Sequence, residues 1–309
     1  MQRLTLARGV PDQLRGAIVA LGNFDGFHLG HQAVVGRAVA RAFHERRPTI
    51  VATFDPHPVA FFKPDLPPFR LTTLDQREAL FAQAGADAML VFEFGAELAS
   101  MDAPAFVAEV LADRLAAAGV VTGDDFSFGK GRTGDVALLK SLGAEHGVGA
   151  EAVAQVVVDG ERVSSGRVRD LLVAGEIGEA TRLLSRPFAV EGVVQHGDGR
   201  GRELGFPTAN LELRDYQRPR YGIYAVRVSL DDGSEHPGVA SLGIRPTFTP
   251  PKELLEAFLF DFAGDLYGRR VEVALHAFIR EERKFESADA LIATMREDEA
   301  EARRLLALP

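Results

Sequence analysis

Residues 22–31 read Gly22-Asn23-Phe24-Asp25-Gly26-Phe27-His28-Leu29-Gly30-His31, and the rest of the chain is organised around them. An apolar run at 17–21 precedes this stretch and predicts a short buried strand, while residues 32–47 repeat apolar side chains at helical spacing. A glycine-punctuated turn between a strand and a helix brings backbone N–H groups and a helix N-terminus to one point. The stretch therefore predicts a phosphate site at a strand-to-helix junction.

Two histidines lie three residues apart at this junction, so both imidazoles can face the same anion. We expect His28 and His31 to donate hydrogen bonds to nucleotide phosphates and to stabilise charge on the reacting phosphoryl group. Gly30 lies between them and removes a side chain that would block the ligand. From these residues alone, the alternative is a tight turn with two incidental histidines.

The pattern G-x-F-D-G-x-H-x-G-H resembles the signature of the H-x-G-H nucleotidyltransferase superfamily, most closely its flavin branch. Members of this superfamily transfer AMP or CMP from a nucleoside triphosphate to an acceptor phosphate. The resemblance implies a Rossmann-like domain that takes ATP as co-substrate. It also implies nucleotide contacts from the residues ahead of the histidines, namely Gly22, Asn23, Phe24 and Asp25.

The composition is typical of a cytoplasmic protein with two domains. A chain of 309 residues can bury two separate cores. Its 44 acidic and 35 basic residues give a net charge of −9, which argues against a nucleic-acid or membrane-surface partner. We expect no transmembrane helix and no signal peptide, because long apolar stretches are absent. With 0 cysteines, disulfides, thiolate catalysis and cysteine-bound metals are excluded.

Strand-like runs alternate with helical patterns over the first half of the chain, which predicts a parallel sheet covered by helices. Asp102 predicts a helix N-cap, with Pro104 in the first turn and a helix that runs to residue 118. The predicted strands are residues 17–21, 49–54, 88–92, 119–122 and 152–158.

The loop after the fourth predicted strand, residues 123–135, is rich in glycine and carries Lys130 and Arg132 as cationic donors. Ligands of open α/β sheets bind beyond the carboxyl ends of the strands, so we expect this loop to share a crevice with the His28 loop. A mobile surface loop is the alternative. The pattern D-F-x-F-G-x-x-R-x-G resembles a motif of the flavin branch, which implies that Asp125 and Phe128 border the flavin and adenine sites.

A third motif begins at Ser164-Ser165, where hydroxyls and a helix start are followed by Arg169. Such a group suits a phosphate, although a serine N-cap with solvated arginines explains it equally well. It resembles the superfamily motif S-S-T-x-x-R, with Gly166 in place of the threonine. The resemblance implies phosphate contacts from Ser164, Ser165 and Arg169, with one hydroxyl fewer than usual.

The pattern changes near residue 185, so we expect a first domain of residues 1–185 and a second of residues 186–309. Short strand-like runs separated by Gly, Pro and Asp turns then predict a small antiparallel β-barrel. These runs are residues 189–194, 224–230, 238–242, 256–262 and 271–279. Residues 287–306 predict a terminal helix packed on the barrel.

A glycine-rich basic loop at 196–205 leads directly into Phe206-Pro207-Thr208-Ala209-Asn210. We expect the loop to close over a polyphosphate. On a strand, Thr208 and Asn210 share a face. Neutral oxygens together with phosphate oxygens and water commonly hold Mg²⁺, so this pair is a candidate metal site. The alternative is a hairpin in which both side chains satisfy local backbone groups.

The pattern G-x-G-R-x-L-G-F-P-T-A-N, followed by Y-G-I-Y-A, G-I-R-P-T-F and L-Y-G, resembles riboflavin kinase. The resemblance implies a catalytic base at Glu256, with Glu253 as a neighbouring alternative, and Ser241 stands where asparagine is common. It also implies that Mg²⁺ is held by Thr208 and Asn210. The implied nucleotide contacts are Gly197, Arg202, Gly205, Pro207, Thr208 and Asn210.

Together the resemblances cover nearly the whole chain and point to the family of bifunctional bacterial riboflavin kinase/FMN adenylyltransferases, or FAD synthetases. They imply an ATP-dependent conversion of riboflavin to FMN at the barrel and of FMN to FAD, with release of pyrophosphate, at the first domain. The sequence does not indicate an oligomeric state.

The sequence leaves two alternative functions to compare with this one. One is an adenylyltransferase for another acceptor, such as phosphopantetheine or nicotinate mononucleotide, against which the barrel motifs argue. The other is a flavin-binding protein without turnover, against which the presence of His28, His31 and Glu256 argues.

Overall fold

The structure, a computed structural model, describes residues 1–196, 208–245 and 252–308. Its residues group into two compact units. The first comprises Met1–Pro67 and Thr72–Ser165, and the second comprises Pro68–Leu71 and Gly166–Pro309. Residues 166–185 thus group with the second unit. The boundary after residue 185 stays a prediction about which fragment folds and acts alone.

The first unit contains a parallel sheet with helices between its strands, as predicted. Its strands are β1 Gln2–Thr5, β2 Ile18–Leu21, β3 Thr49–Asp55, β4 Ala88–Glu93, β5 Gly119–Gly123 and β6 Gly149–Val153. Its helices are α1 Leu29–Glu45, α2 Pro58–Phe62, α3 Leu74–Gln83, α4 Ala96–Ser100, α5 Ala103–Ala105, which continues as a π-helix over Phe106–Arg114, and α6 Val136–Glu145.

In the described part of this unit, six strands pair in the order β1-β4-β3-β2-β5-β6, all in parallel. The four residues of β2 are buried, as expected for a central strand covered on both faces. Chain order reverses between β2 and β5, which are neighbours in the sheet. Ligands of such sheets bind at this point of reversal, where the loops that follow β2 and β5 both begin.

The predicted fifth strand was wrong in position. Residues 152–158 divide between the end of β6 and a hairpin formed by β7 Val157–Val158 and β8 Glu161–Arg162. The hairpin turns at Asp159-Gly160, whose φ angles are 55° and 79°. An Asp-Gly pair with positive φ at both residues is a favoured two-residue hairpin turn. Pairing of Gly149–Val153 with β5 outweighs the modest strand preference of that segment.

The helix predicted from Asp102 begins as expected, because Asp102 Oδ1 accepts a hydrogen bond from the Ala105 N–H at 2.8 Å. Its predicted end at residue 118 was wrong, since the π-helical part ends at Arg114. Ala116 has a φ of 46°, outside the helical range, and the chain then turns into β5. The N-terminal strand β1 was not predicted.

The second unit contains an antiparallel sheet with a terminal helix, as predicted. Its strands are β9 Phe188–Val193, β10 Thr208–Glu212, β11 Gly222–Leu230, β12 Glu235–Arg245, β13 Lys252–Leu259 and β14 Arg270–Arg280. Its helices are α7 Ser165–Ala174, which begins at the last residue of the first unit, α8 Ile177–Leu184 and α9 Ala288–Leu305.

Among the described residues of this unit, six strands pair in the order β10-β13-β12-β11-β14-β9. Just beyond the end of β9, the Gln195 N–H donates to Asn210 O of β10 at 2.9 Å, so one isolated bridge links the two edges of the curled sheet as in a barrel. Ala302 of α9 and Leu306 just after it pack against Ala225 of β11 and Phe260, which follows β13. None of the helices in the described part of the chain is both long and apolar enough to cross a membrane.

Candidate functional site

The first unit contains a cleft of about 1230 Å³ at the carboxyl ends of its central strands. The loop after β2 and the loop after β5 both line it, as predicted, and the β7–β8 hairpin region contributes Arg162. The predicted site residues that line the cleft are Gly22, Asn23, Phe24, His28, His31, Asp125, Phe128, Arg132, Ser164 and Ser165.

The two histidines lie at the start of α1 and stack on one another, with ring centroids 3.6 Å apart and planes 18° apart. His28 is the N-cap, and its Nδ1 accepts the His31 N–H at 3.3 Å. A neutral His28 with Nδ1 as acceptor carries its proton on Nε2, which is then a donor. A Cβ on Gly30 would lie 3.1 Å from the His28 ring, so the glycine allows this stacking.

The backbone that leads to His28 has unusual torsion angles. Phe24, Gly26 and Phe27 have φ angles of 51°, 83° and 43°. Positive φ is uncommon for phenylalanine, and such conformations persist only where the surrounding structure holds them.

Asp25 is 1% exposed and does not line the cleft. Its carboxylate accepts the Thr72 N–H at 3.0 Å and lies 3.7 Å from the Arg77 guanidinium. Its backbone carbonyl accepts a hydrogen bond from Ser165 Oγ at 2.9 Å. Asp25 therefore anchors its loop to Thr72 and Arg77 on the side away from the cleft lining. Ser165 connects the Ser164-Ser165 motif to the loop of residues 22–31.

The loop after β5 contributes a second group of residues to the lining of the cleft. Asp125 forms an ion pair with Arg162, which the sequence analysis had not selected. Arg132 donates from Nε to Ser127 Oγ at 2.7 Å. The Phe128 ring is largely buried and packs nearly parallel to that of Phe126, with centroids 5.7 Å apart. This part of the lining therefore combines charged groups with a flat apolar surface.

One end of the cleft is aromatic, and the sequence analysis missed it. Phe94 packs edge-on against Phe54, Phe61 and Phe62 at centroid distances of 5.9, 5.5 and 5.8 Å. Phe62 is 63% exposed although it lines the cleft. The adjacent pair Phe61-Phe62 was the only hint in the sequence. Its role in the cleft became clear because the fold brings Phe94 into contact with both rings.

Arg169 belongs to the second unit, where its Nε donates to Phe69 O at 2.8 Å. Its guanidinium lies 5.1 Å from the centre of the Phe69 ring. Arg169 thus has partners within its own unit, and its predicted phosphate contact stays a prediction.

In the second unit, three polar side chains lie abreast on neighbouring strands. Glu256 of β13 is paired with Asn210 of β10 on one side and with Ser241 of β12 on the other. Directly paired residues of antiparallel strands present their side chains on the same face. Thr208, two residues before Asn210, shares that face and is paired with Phe258.

Glu253 is three residues earlier on the same strand, so its side chain points to the opposite face. It accepts hydrogen bonds from Arg218 Nε at 2.6 Å and from the Tyr221 hydroxyl. Partial burial and this carboxylate raise the pKa of Tyr221 to about 12, which keeps the phenol protonated as a donor. Glu253 is therefore engaged in a local ionic cluster.

The donor set at Thr208 and Asn210 fits a hard cation. Asn210 is 4% exposed, and its Nδ2 donates to Thr208 O at 3.5 Å. Among the residues that the structure describes, no hydrogen-bond partner reaches the buried Asn210 Oδ1. A buried acceptor oxygen without a donor is costly unless something else coordinates it, and Mg²⁺ prefers such oxygens.

The predicted contacts Gly197, Arg202, Gly205 and Pro207 lie outside the described residues. The described residue ahead of them, His196, stacks on Tyr267 at a centroid distance of 3.9 Å. A small pocket of about 60 Å³ is lined by Thr208 and Tyr267. The structure thus brings the L-Y-G motif next to the P-T-A-N motif.

Comparisons with known proteins match each half of the chain to a different family. The family described as FAD synthetase matches residues 10–167, and the family described as riboflavin kinase matches residues 184–306. A bifunctional riboflavin kinase/FMN adenylyltransferase from Pseudomonas fluorescens is 42% identical over 308 residues, which cover 98% of each chain. One of the same name from Escherichia coli (strain K12) is 39% identical and covers 95% of this chain and 94% of its own.

A solved structure shares the fold over nearly the whole chain. The crystal structure of a protein described as a macrolide-efflux protein from Streptococcus pneumoniae matches with a TM-score of 0.88 and 29% identity. It covers 98% of this chain and 99% of its own. Since one fold hosts many activities, function has to be argued from the sites.

Proposed function

The chain belongs to the family of bifunctional riboflavin kinase/FMN adenylyltransferases, and from this premise we propose which of its residues carry each reaction. It phosphorylates riboflavin with ATP to give FMN, and it transfers AMP from a second ATP to FMN to give FAD and pyrophosphate. The observation that supports the presence of both activities in one chain is that each half of the chain matches one of the two enzyme families.

Adenylyl transfer takes place in the cleft of the first unit. A phosphate oxygen of FMN attacks the α-phosphorus of ATP, and the bond to the β-phosphate breaks as pyrophosphate leaves. The attacking phosphate is already an anion, so this step needs no general base. His28 and His31 donate hydrogen bonds to the phosphates as charge develops on them, with the α1 N-terminus adding its dipole.

The walls of the cleft place the rest of the two substrates. The aromatic end formed by Phe54, Phe61, Phe62 and Phe94 offers the flat apolar surface that an isoalloxazine or adenine ring requires. Asp125, Phe128 and Arg132 line the same cleft, and Ser164 and Ser165 add two hydroxyl-bearing residues to its lining.

Riboflavin phosphorylation takes place on the face of the second unit that carries Glu256. This carboxylate accepts the proton of the ribityl 5′-hydroxyl while the oxygen attacks the γ-phosphorus of ATP and ADP leaves. Thr208 and Asn210 would hold Mg²⁺, which supplies charge neutralisation on the ATP phosphates. The shared face of Asn210 and Glu256 supports this assignment, whereas Glu253 points away from it.

The direct test of the proposed function is to follow products over time. The purified chain is incubated with riboflavin, ATP and Mg²⁺, and flavins are separated by chromatography. We expect FMN to appear first and FAD to follow. An adenylyltransferase for another acceptor would form no FAD, and a flavin-binding protein would leave riboflavin unchanged.

Replacing Thr208 by alanine should weaken Mg²⁺ binding at the proposed kinase site, so that the kinase reaction needs more Mg²⁺ while adenylyl transfer is unchanged. Loss of a metal-site group costs on the order of 10–100-fold in metal affinity. The measurement is the Mg²⁺ concentration that gives half of the maximal kinase rate. Ser229→Ala removes a hydroxyl elsewhere in the same sheet and is the matched control. An unchanged Mg²⁺ requirement in Thr208→Ala would contradict the metal assignment.

A fragment of residues 186–309 is expected to fold and to phosphorylate riboflavin, because the kinase motifs and barrel strands lie within it. A fragment of residues 166–309 should be the more stable of the two. It retains α8, whose Ile177, Leu183 and Leu184 are buried in the second unit. Circular dichroism melting and FMN formation compare the fragments. A folded 186–309 fragment without kinase activity would show that the predicted boundary is wrong.

A further inference from the structure

We propose that Arg77 is a positioning residue for adenylyl transfer, because its guanidinium holds the loop that presents Asn23 and His28 to the cleft. The proposal rests on the adenylyltransferase function given above. Arg77 does not line the cleft, so it acts on the substrates only through that loop.

The burial of Arg77 is unusual for an arginine. The residue lies in the first half of α3 and is 1% exposed, on the inner side of a helix that begins with a capping box at Thr73. A buried charge is retained only where it is paired and hydrogen-bonded. The side chain therefore has to be explained by the groups it contacts.

Those groups are mostly backbone carbonyls and threonine hydroxyls around the loop. The Asp25 carboxylate, 3.7 Å from Nη2, balances the charge. Nη1 donates to Thr53 Oγ1 at 3.0 Å, to Asn23 O at 3.4 Å and to Phe54 O at 3.5 Å. Two further bonds go to Thr72: Nε donates to its Oγ1 at 3.3 Å, and Nη2 donates to its carbonyl oxygen at 3.2 Å.

These acceptors belong to three separate segments of the first unit. Asn23 follows β2, Thr53 lies in β3, and Thr72 lies just before α3. Thr53 Oγ1 also donates to Asn23 O at 2.7 Å, so this carbonyl is held twice. A planar guanidinium with five N–H donors can join three segments at once, whereas a lysine ammonium is a single point with three donors.

The loop that Arg77 holds needs such support. Phe24 and Phe27 both have positive φ angles and flank Asp25 and Gly26, immediately before His28. Gly26 N–H donates to Thr72 Oγ1 at 3.0 Å, so the same hydroxyl that accepts from Arg77 fixes the turn. Without these bonds the chain would relax towards ordinary torsion angles and move the histidines.

Asn23 shows what the fixed loop achieves. Its carbonyl accepts hydrogen bonds from Arg77 and Thr53, and the residue lines the cleft. Among the described residues, no hydrogen-bond partner reaches the buried Asn23 Oδ1. A buried acceptor without a partner is costly and is typical of functional sites. Arg77 thus fixes the backbone both at this residue and in the loop that leads to His28.

The experiment uses the full-length chain with Arg77→Lys and Arg77→Met. Arg77→Lys keeps the charge beside Asp25, so it is the variant that should still fold. Small displacements of positioned groups cost on the order of 10²-fold in rate. We expect kcat for FAD formation from FMN and ATP to fall by about that factor, more in Arg77→Met than in Arg77→Lys. KM values for both substrates should stay close to those of the wild type.

Three measurements separate positioning from a purely structural role. Riboflavin phosphorylation by the same preparation reports on the second unit, thermal melting reports on the fold, and the division of the effect between kcat and KM reports on positioning. Arg37→Gln is the matched control, because Arg37 is an exposed arginine of the same unit that pairs with Glu151. It should leave both reactions unchanged.

Each outcome decides the proposal. A fall in kcat at nearly constant KM, with an intact kinase rate, supports it. A near-normal kcat in both variants, a rise in KM alone, or an equal loss of both reactions overturns it. Absence of FAD formation by the wild-type chain would instead overturn the proposed adenylyltransferase function.

Discussion

Replacing His28 and His31 together by alanine is expected to stop the chemistry of the chain at FMN. In the proposed mechanism each imidazole is a preorganised donor to the reacting phosphates, and loss of such a donor costs on the order of 10²–10³-fold in kcat. The two rings stack at 3.6 Å, so they act on one small region, and their removal together should leave FAD formation barely detectable. Kinase activity should persist, since it belongs to the other unit.

The double alanine variant also removes the N-cap of α1, which costs about 0.5–2 kcal/mol of stability. His28→Asn paired with His31→Gln separates the two effects, because asparagine is a good N-cap but a poor substitute for an imidazole donor. This pair should melt close to the wild type and still form FMN without FAD. His44→Ala, at the exposed end of α1, is the control for loss of a histidine. Continued FAD formation at a near-normal rate would remove the histidines from the mechanism.

Glu256→Gln is expected to lower kcat for riboflavin phosphorylation by about 10²–10⁴-fold. A primary alcohol is a poor nucleophile at neutral pH, and the glutamine keeps the size and reach of the side chain but cannot take the proton. Riboflavin affinity should change little. Conversion of added FMN to FAD should continue, because that acceptor needs no deprotonation.

Glu253→Gln is the matched control, since it makes the same chemical change three residues away on the opposite face of β13. Its ion pair with Arg218 and hydrogen bond with Tyr221 would be weakened, so the variant should lose some stability while its kinase rate stays close to normal. Steady-state kinetics for both reactions, with melting curves, make the comparison. If Glu253→Gln loses kinase activity while Glu256→Gln keeps it, the base is Glu253 and the assignment to Glu256 is wrong.

The cleft of the first unit was predictable because its elements are local in sequence. Gly22–His31 runs from the residue after β2 through the turn into the start of α1, and a parallel sheet brings the loop of residues 123–135 to the same edge. Glu253 lay outside the strand predicted over residues 256–262, so its orientation away from Glu256 became visible only from the register of β13.

The missed features depend on contacts between distant segments. Arg77 looks like an ordinary polar residue of an amphipathic helix, and only the packing of α3 shows that it is buried. Phe61 and Phe62 can be recognised as part of an aromatic cluster only because Phe94, about 30 residues later in the chain, packs against both. Strand β6 contains Gly149 and two alanines, so its pairing with β5 rather than its own propensity makes it a strand.

The register of β13 has a consequence for changes of chain length. Asn210, Glu256 and Ser241 form one row only because their three strands are aligned without an offset. Inserting or deleting one residue before Glu256 within β13 would turn this carboxylate to the opposite face, although every functional residue would still be present. Inserting or deleting two residues would return Glu256 to its original face but would move it out of line with Asn210 and Ser241. We therefore expect length variation in this unit to be tolerated in its turns and not in the strands that carry the proposed kinase site.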